Sequence, residues 1–129
     1  MTLRIDLPWL LMVAEHYTPG DPPVTDWGAL VAAVARHDAE IFGRPIYLDE
    51  HTRAAAMLQL LVHVPALERS NALFATAVAY AYLVAGGLKV TTTAEQVRDL
   101  ARLVKDGTAS VDRIADELRT WTPTGTGEL

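Results

Sequence analysis

The feature that most constrains this chain is a run of sixteen residues, Ala72 to Gly87, that carries no charge. As a membrane span it falls short of the roughly 20 apolar residues a bilayer requires. As a helix inside a protein it is long enough, and other elements must then cover it. The run follows the polar residues Arg69, Ser70 and Asn71 and closes on Gly86-Gly87, a pair suited to the left-handed conformation that ends helices. The pattern predicts a helix from Asn71 to Ala85, with Phe74, Ala75, Val78, Tyr82 and Ala85 on one side and Ala77, Ala81 and Val84 on another. Such a helix is expected to be buried nearly all round, at the centre of a compact all-α domain. Its first amides have no partners within the helix, so the loop before it is the natural place for an anion.

Five more helices surround it in this reading. Asp6 caps the first, with Pro8 in the opening turn and Trp9, Leu10, Val13 and Ala14 as its apolar stripe. Thr18-Pro19-Gly20-Asp21-Pro22-Pro23 cannot continue a helix and ends it. The second starts at about Asp26, capped by Thr25, carries Trp27, Leu30, Val31 and Val34 on one face, and decays around His37 to Ala39. Asp49 caps the third, which runs through Arg53 to about His63 and is stopped by Pro65. Thr93-Ala94-Glu95-Gln96 is a capping box for a helix bearing Val97, Leu100, Ala101 and Val104, and ending at Gly107. Ser110 caps the last, with Val111, Ile114, Ala115 and Leu118 as its stripe. Ile41 to Leu48, with Gly43, Pro45 and the triplet Ile46-Tyr47-Leu48, marks one short hairpin or extended segment, and Leu88-Lys89-Val90 a second extended stretch. Residues 1–121 are expected to form one domain and 122–129 a loose polar tail.

Composition narrows the chemistry. With 129 residues the chain can bury one real core, and with no cysteine it has no disulfide, thiol nucleophile or cysteine-bound zinc. A net charge of −5 gives no electrostatic footprint for nucleic acid or anionic lipid. The apolar stretch from Leu7 to Ala14 lies between Asp6 and Glu15, without the basic start of a signal peptide. A cytoplasmic home is therefore expected, with neither nucleic acid nor membrane as a partner. His37-Asp38-Ala39-Glu40 and Asp49-Glu50-His51 mix imidazole with carboxylate but lack the histidine pair four apart of a helical zinc site, so no metal site is expected in them. His16, at a helix end, and the charges of Asp112, Arg113, Asp116, Glu117 and Arg119 are expected to be structural or solvated.

The loop at 65–70 and the helix after it resemble the Fic/Doc family, in particular its Doc-like toxin branch. That family carries the motif H-x-F-x-[D/E]-G-N-x-R leading into a buried central helix. Asn71 stands at the motif asparagine, and Gly87, sixteen residues on, matches the glycine that closes the helix. Upstream, Arg53-Ala54-Ala55-Ala56-Met57-Leu58-Gln59-Leu60-Leu61 is similar to the helix that leads into the motif, and the segments from Thr93 to Lys105 and Ser110 to Arg119 are similar to those that follow. The likeness spans about residues 49–121.

In that register Pro65 occupies the histidine position, Leu67 the phenylalanine, Arg69 the acid, Ser70 the glycine and Leu73 the arginine; Asn71 is retained. The resemblance implies transfer of phosphate or a nucleotide from a nucleotide to a hydroxyl on a target, with magnesium held by the acid. Proline cannot accept the proton that the histidine takes, leucine cannot grip phosphate, and arginine repels a metal ion. Losing a general base costs about 10²–10⁴-fold, and losing the phosphate clamp a similar factor. Catalysis is therefore expected to be impaired or lost.

Some alternatives stay open on sequence alone. His63, two residues before the motif histidine position, becomes a candidate catalytic base if the loop register shifts, and Glu68 then faces the metal; otherwise His63 is a cation stabilising a helix carboxyl end. Arg69, Ser70 and Asn71 together with Glu68 are candidates for anion or nucleotide binding, or else are a solvated charge and helix caps. The segment Ile46-Tyr47-Leu48 either packs as a loop or, as the family's hairpin does, aligns a target by strand addition. Two functions follow. One is a Doc-like toxin of a toxin–antitoxin pair, with a small antitoxin whose helical segment lies in a groove, a translation factor as target, and nucleotide with magnesium only where activity is retained. The other is a non-catalytic protein-binding module, a pseudoenzyme that keeps the fold.

Overall fold

The computed structural model describes residues 3–123. In chain order the elements are α1 (Leu7–Tyr17), α2 (Trp27–His37), β1 (Glu40–Ile41), β2 (Arg44–Pro45), α3 (Glu50–His63), α4 (Asn71–Ala85), α5 (Ala94–Lys105) and α6 (Val111–Arg119). The all-α expectation holds, with a single short antiparallel hairpin, β1–β2. Among the described residues no helix is long and apolar enough to cross a membrane. Of the expected loose tail, residues 124–129 lie outside the described residues. Thr122 is not loose, because its hydroxyl sits 2.7 Å from Nε2 of His51.

Helix starts follow their polar caps. Asp6, Asp49, Thr93 and Ser110 each accept the amide three residues on. At Asp49–Thr52 and Thr93–Gln96 the bond is reciprocated, which satisfies two of the orphan amides at each start. The second helix departs from expectation. Asp26, not Thr25, caps it, accepting the Ala29 amide at 3.3 Å, while the Thr25 hydroxyl is turned to the Ala66 carbonyl at 3.5 Å. Its buried face also differs, since Trp27 and Val31 are exposed while Ala29, Leu30, Ala33 and His37 face inward. α2 packs on α3 through this inward face, whose small Ala29 and Ala33 allow close approach.

The hairpin falls in the expected stretch from Ile41 to Leu48, its first strand starting one residue earlier, at Glu40. Phe42 and Gly43 both take positive φ, as a two-residue hairpin turn demands, and set the strands at residues 40–41 and 44–45. Ile46 still donates its amide to Ala39 at 2.9 Å, but Tyr47 leaves the ladder and accepts a hydrogen bond from Nε of Arg36 at 3.1 Å. Leu88-Lys89-Val90 joins no strand among the described residues; instead the next amide, Thr91, donates to Trp121 at 2.7 Å.

Two helices share the centre. α3 packs against α2, α4, α5 and α6, and α4 against α1, α3 and α5. Phe74, Val78, Tyr82 and Leu83 of α4 are fully buried against Met57, Leu58 and Leu61 of the same core. Burial of α4 is not complete, however. Leu73 and Val84 are exposed and Tyr80 is half-buried, so one stripe of the most apolar helix is left uncovered between α1 and α5.

Candidate functional site

The loop that joins α3 to α4 is tied down at almost every residue. Leu67 forms an antiparallel bridge to Val24. The Glu68 amide donates to the Pro23 carbonyl at 3.0 Å, and the Thr25 and Asp26 amides both donate to Ala66, at 2.8 and 3.1 Å. The side chains of Ala66 and Leu67 are buried in the core. Leu67 thus fills the motif's phenylalanine position as an apolar anchor.

Asn71 has a role that the sequence alone did not reveal. Its Oδ1 accepts the amides of Ala66 and Leu67 at 3.0 and 2.9 Å, and its Nδ2 donates to the Leu67 carbonyl at 2.9 Å. Both ends of the carboxamide are turned back into the loop, so Asn71 staples the loop to the start of α4. Ser70 holds the cap position in the left-handed region, φ 65° and ψ 30°, and its side chain caps nothing. The expectation that Ser70 and Asn71 serve as ordinary side-chain caps is therefore corrected. Arg69 donates from Nη2 to the Gly20 carbonyl at 3.3 Å and lies 3.7 Å from the Glu68 carboxylate. Both of these side chains are exposed. His63 ends α3, exposed, with its ring beside Gly107 and no hydrogen bond to Glu68, Arg69, Ser70 or Asn71 among the described residues.

A different feature occupies the uncovered side of α4. Two apolar hollows, of about 300 and 320 Å³, adjoin at Tyr17. The first lies between α1 and the end of α4, lined by Trp9, Met12, His16 and Val84 among others. The second lies between the start of α4 and α5, lined by Leu73, Tyr80, Thr92 and Val97 among others. Tyr17 and Tyr80 meet edge-on at 6.3 Å where the hollows join. Thr92 buries its hydroxyl oxygen in this region without a hydrogen-bond partner among the described residues.

Comparison with known proteins decides the family. No family model matches the chain. It is, however, 32% identical over 120 residues, spanning 92% of its own length and 92% of the relative's, to the protein named Toxin Doc from Mycolicibacterium smegmatis. The chain belongs to the Doc toxin family. It is a Doc-like toxin of the toxin–antitoxin class, and the Fic/Doc resemblance of the 65–87 segment is part of a likeness that runs through nearly the whole chain.

For a Doc-like toxin the motif loop has unusual chemistry. A magnesium ion would need an anionic or neutral oxygen ligand where Arg69 presents a cation. Among the described residues no three histidine, aspartate or glutamate side chains come together to hold a metal ion. The hairpin, in turn, offers only two residues per strand, and exposes Ile41, Phe42, Ile46 and Leu48.

Two groups of site residues escaped the sequence. The groove residues Leu73, Tyr80 and Val84 recur at helical spacing, a signal masked by the apolar residues on every other face of α4. The polar core of Arg53, His37 and Tyr82 gave no signal, because an arginine and a histidine amid mixed sequence look solvated until the fold buries them.

Proposed function

We propose that this Doc-like toxin acts by binding rather than by transfer chemistry at the 65–73 loop, and that the groove along α4 is the seat of its antitoxin. The observation that carries the second part is the uncovered apolar stripe of α4, with hollows of about 300 and 320 Å³ along it. Leu73, Tyr80 and Val84 suit the apolar face of such a helix. The first part is supported by the loop's chemistry: Asn71 is spent on the loop backbone, Arg69 is cationic and Leu73 apolar.

The loop's chemistry supports engagement of the target without covalent change; family resemblance supports a small antitoxin as the occupant and a translation factor as the target. It also supports action in the cytoplasm, with no nucleic-acid partner. Leu73→Glu and Val84→Glu test the groove, because both positions are exposed and tolerate a charge in the free protein. Each should weaken binding of the antitoxin encoded beside this chain by about 30-fold or more, the loss of a hot-spot contact of about 2 kcal/mol. The thermal midpoint should stay where it is. Unchanged affinity in both variants would place the antitoxin elsewhere.

A further inference from the structure

The segment before α1 crosses the protein's polar core. His37, the last residue of α2, is buried and has both ring nitrogens engaged. Its Nδ1 meets the Val34 carbonyl one turn back, and its Nε2 receives the Ile5 amide at 3.0 Å. A carbonyl accepts and an amide donates, so the ring must carry its single proton on Nδ1 and be neutral. Close by, Tyr82 of α4 presents its ring edge-on at 5.9 Å and donates its hydroxyl to the Leu3 carbonyl at 2.7 Å. Two side chains of the core thus grip the backbone of Leu3–Ile5, and Ile5 itself is buried. Asp6 follows directly as the cap of α1, and α1 forms one wall of the groove.

We infer that Leu3–Ile5 is a strap latched by His37 and released by acid, because an imidazolium cannot accept the Ile5 amide. Protonation sets two N–H groups against each other, so the strap must leave for the ring to hold its second proton. The charged groups around the ring oppose that step inside the closed structure. Arg53 of α3 is buried, donates to the Leu48 carbonyl at 3.0 Å, and pairs with no carboxylate among the described residues. Arg4 of the strap is the second cation, lying 3.9 Å from Asp38, the residue after α2, and 3.8 Å from Glu40 of β1. Burial first of all lowers the affinity of His37 for a proton, and Arg53 and Arg4 lower it further, against the Val34 carbonyl and Asp38. The second anchor does not titrate in the same range, since burial pushes the Tyr82 phenol above its ordinary value. Release loosens the entry into α1 whatever fills the groove.

Amide hydrogen exchange on the full chain tests the latch. Between pH 7.5 and 5.0, after correction for intrinsic chemistry, opening at the Ile5 amide should rise by up to about ten-fold per pH unit below the free-imidazole value. Amides in the middle of α3 and α4 should keep their protection. In His37→Gln, whose side chain can accept the amide but cannot titrate, the acid dependence should vanish. Equal protection of Ile5 across that range, or the same acid loss in His37→Gln, overturns the inference. Nitrogen NMR of the wild-type ring gives a reading that does not depend on the variant folding. The neutral ring should carry its proton on Nδ1, and its second proton should arrive together with loss of Ile5 protection. A ring that is protonated while Ile5 stays protected refutes the latch.

Discussion

Replacing Asn71 with alanine separates a structural asparagine from one kept for a ligand. The carboxamide satisfies the amides of Ala66 and Leu67, and its own Nδ2 is taken by the Leu67 carbonyl. Both residues are buried, at 0% and 2% exposure, so neither amide has an obvious second partner. Orphaning a buried amide costs about 1–3 kcal/mol. Two of them, with some recovery by water because Asn71 itself is only half-buried, give roughly 2–4 kcal/mol for Asn71→Ala. For a domain of this size each kcal/mol moves the thermal midpoint by about 4 °C, so a fall of roughly 8–16 °C is expected. Asn71→Asp keeps the two acceptors but sets a carboxylate oxygen against the Leu67 carbonyl, and should cost about half as much. Urea denaturation followed by circular dichroism reads both. A change within about 0.5 kcal/mol for Asn71→Ala would mean that the loop does not depend on the staple, and the structural role would fall.

Other expectations follow from the same contacts. Leu67→Ala should cost about 2–4 kcal/mol in urea, because the side chain fills the junction between the motif loop and the core; a loss below 1 kcal/mol would show that junction to be loosely packed. Asp49→Ala should cost about 1 kcal/mol, the usual worth of a helix cap, with little added from its exposed pairing to Arg119. Mild acid should weaken the fold through two of its histidines. Burial lowers the proton affinity of His37 and His51 below the ordinary value of 6.5, so the unfolded chain binds more protons just below that pH. Stability should therefore be full above about pH 6.5 and decline as pH falls beneath it, and a urea midpoint that is flat between pH 7.5 and 5.0 would contradict this. His63→Ala should leave growth inhibition on overexpression unchanged, since the exposed ring touches none of the motif-loop side chains.

Much of the fold was legible because its signals are local. Asp6, Asp49, Thr93 and Ser110 announce helix starts by a polar atom next to an apolar stripe, and all four act as caps. Thr25 and Asp26 show where such reasoning stops. Either can cap, and the choice was made by a carbonyl 41 residues away, since Ala66 draws the Thr25 hydroxyl. The face of α2 was misjudged for a similar reason. Hydrophobicity favours burying Trp27 and Val31, but the face that packs inward carries Ala29, Leu30, Ala33 and an imidazole instead. The site was legible as a list of substitutions and not as a geometry. Pro65, Arg69 and Leu73 could be read as chemically unfit from their identities, whereas the staple made by Asn71 depends on how the loop bends back. Buried Arg53 and His37 were invisible because burial of a polar side chain is a property of the assembled fold.

Transfer itself is the most direct measurement. The purified chain would be incubated with magnesium, bacterial lysate and nucleoside triphosphates labelled at the α- or the γ-phosphate. The expected result is no protein-bound label above a control without the chain, under conditions in which its overexpression still arrests growth. Label appearing on a bacterial protein, and disappearing with His63→Ala, would contradict a toxin that works by binding alone.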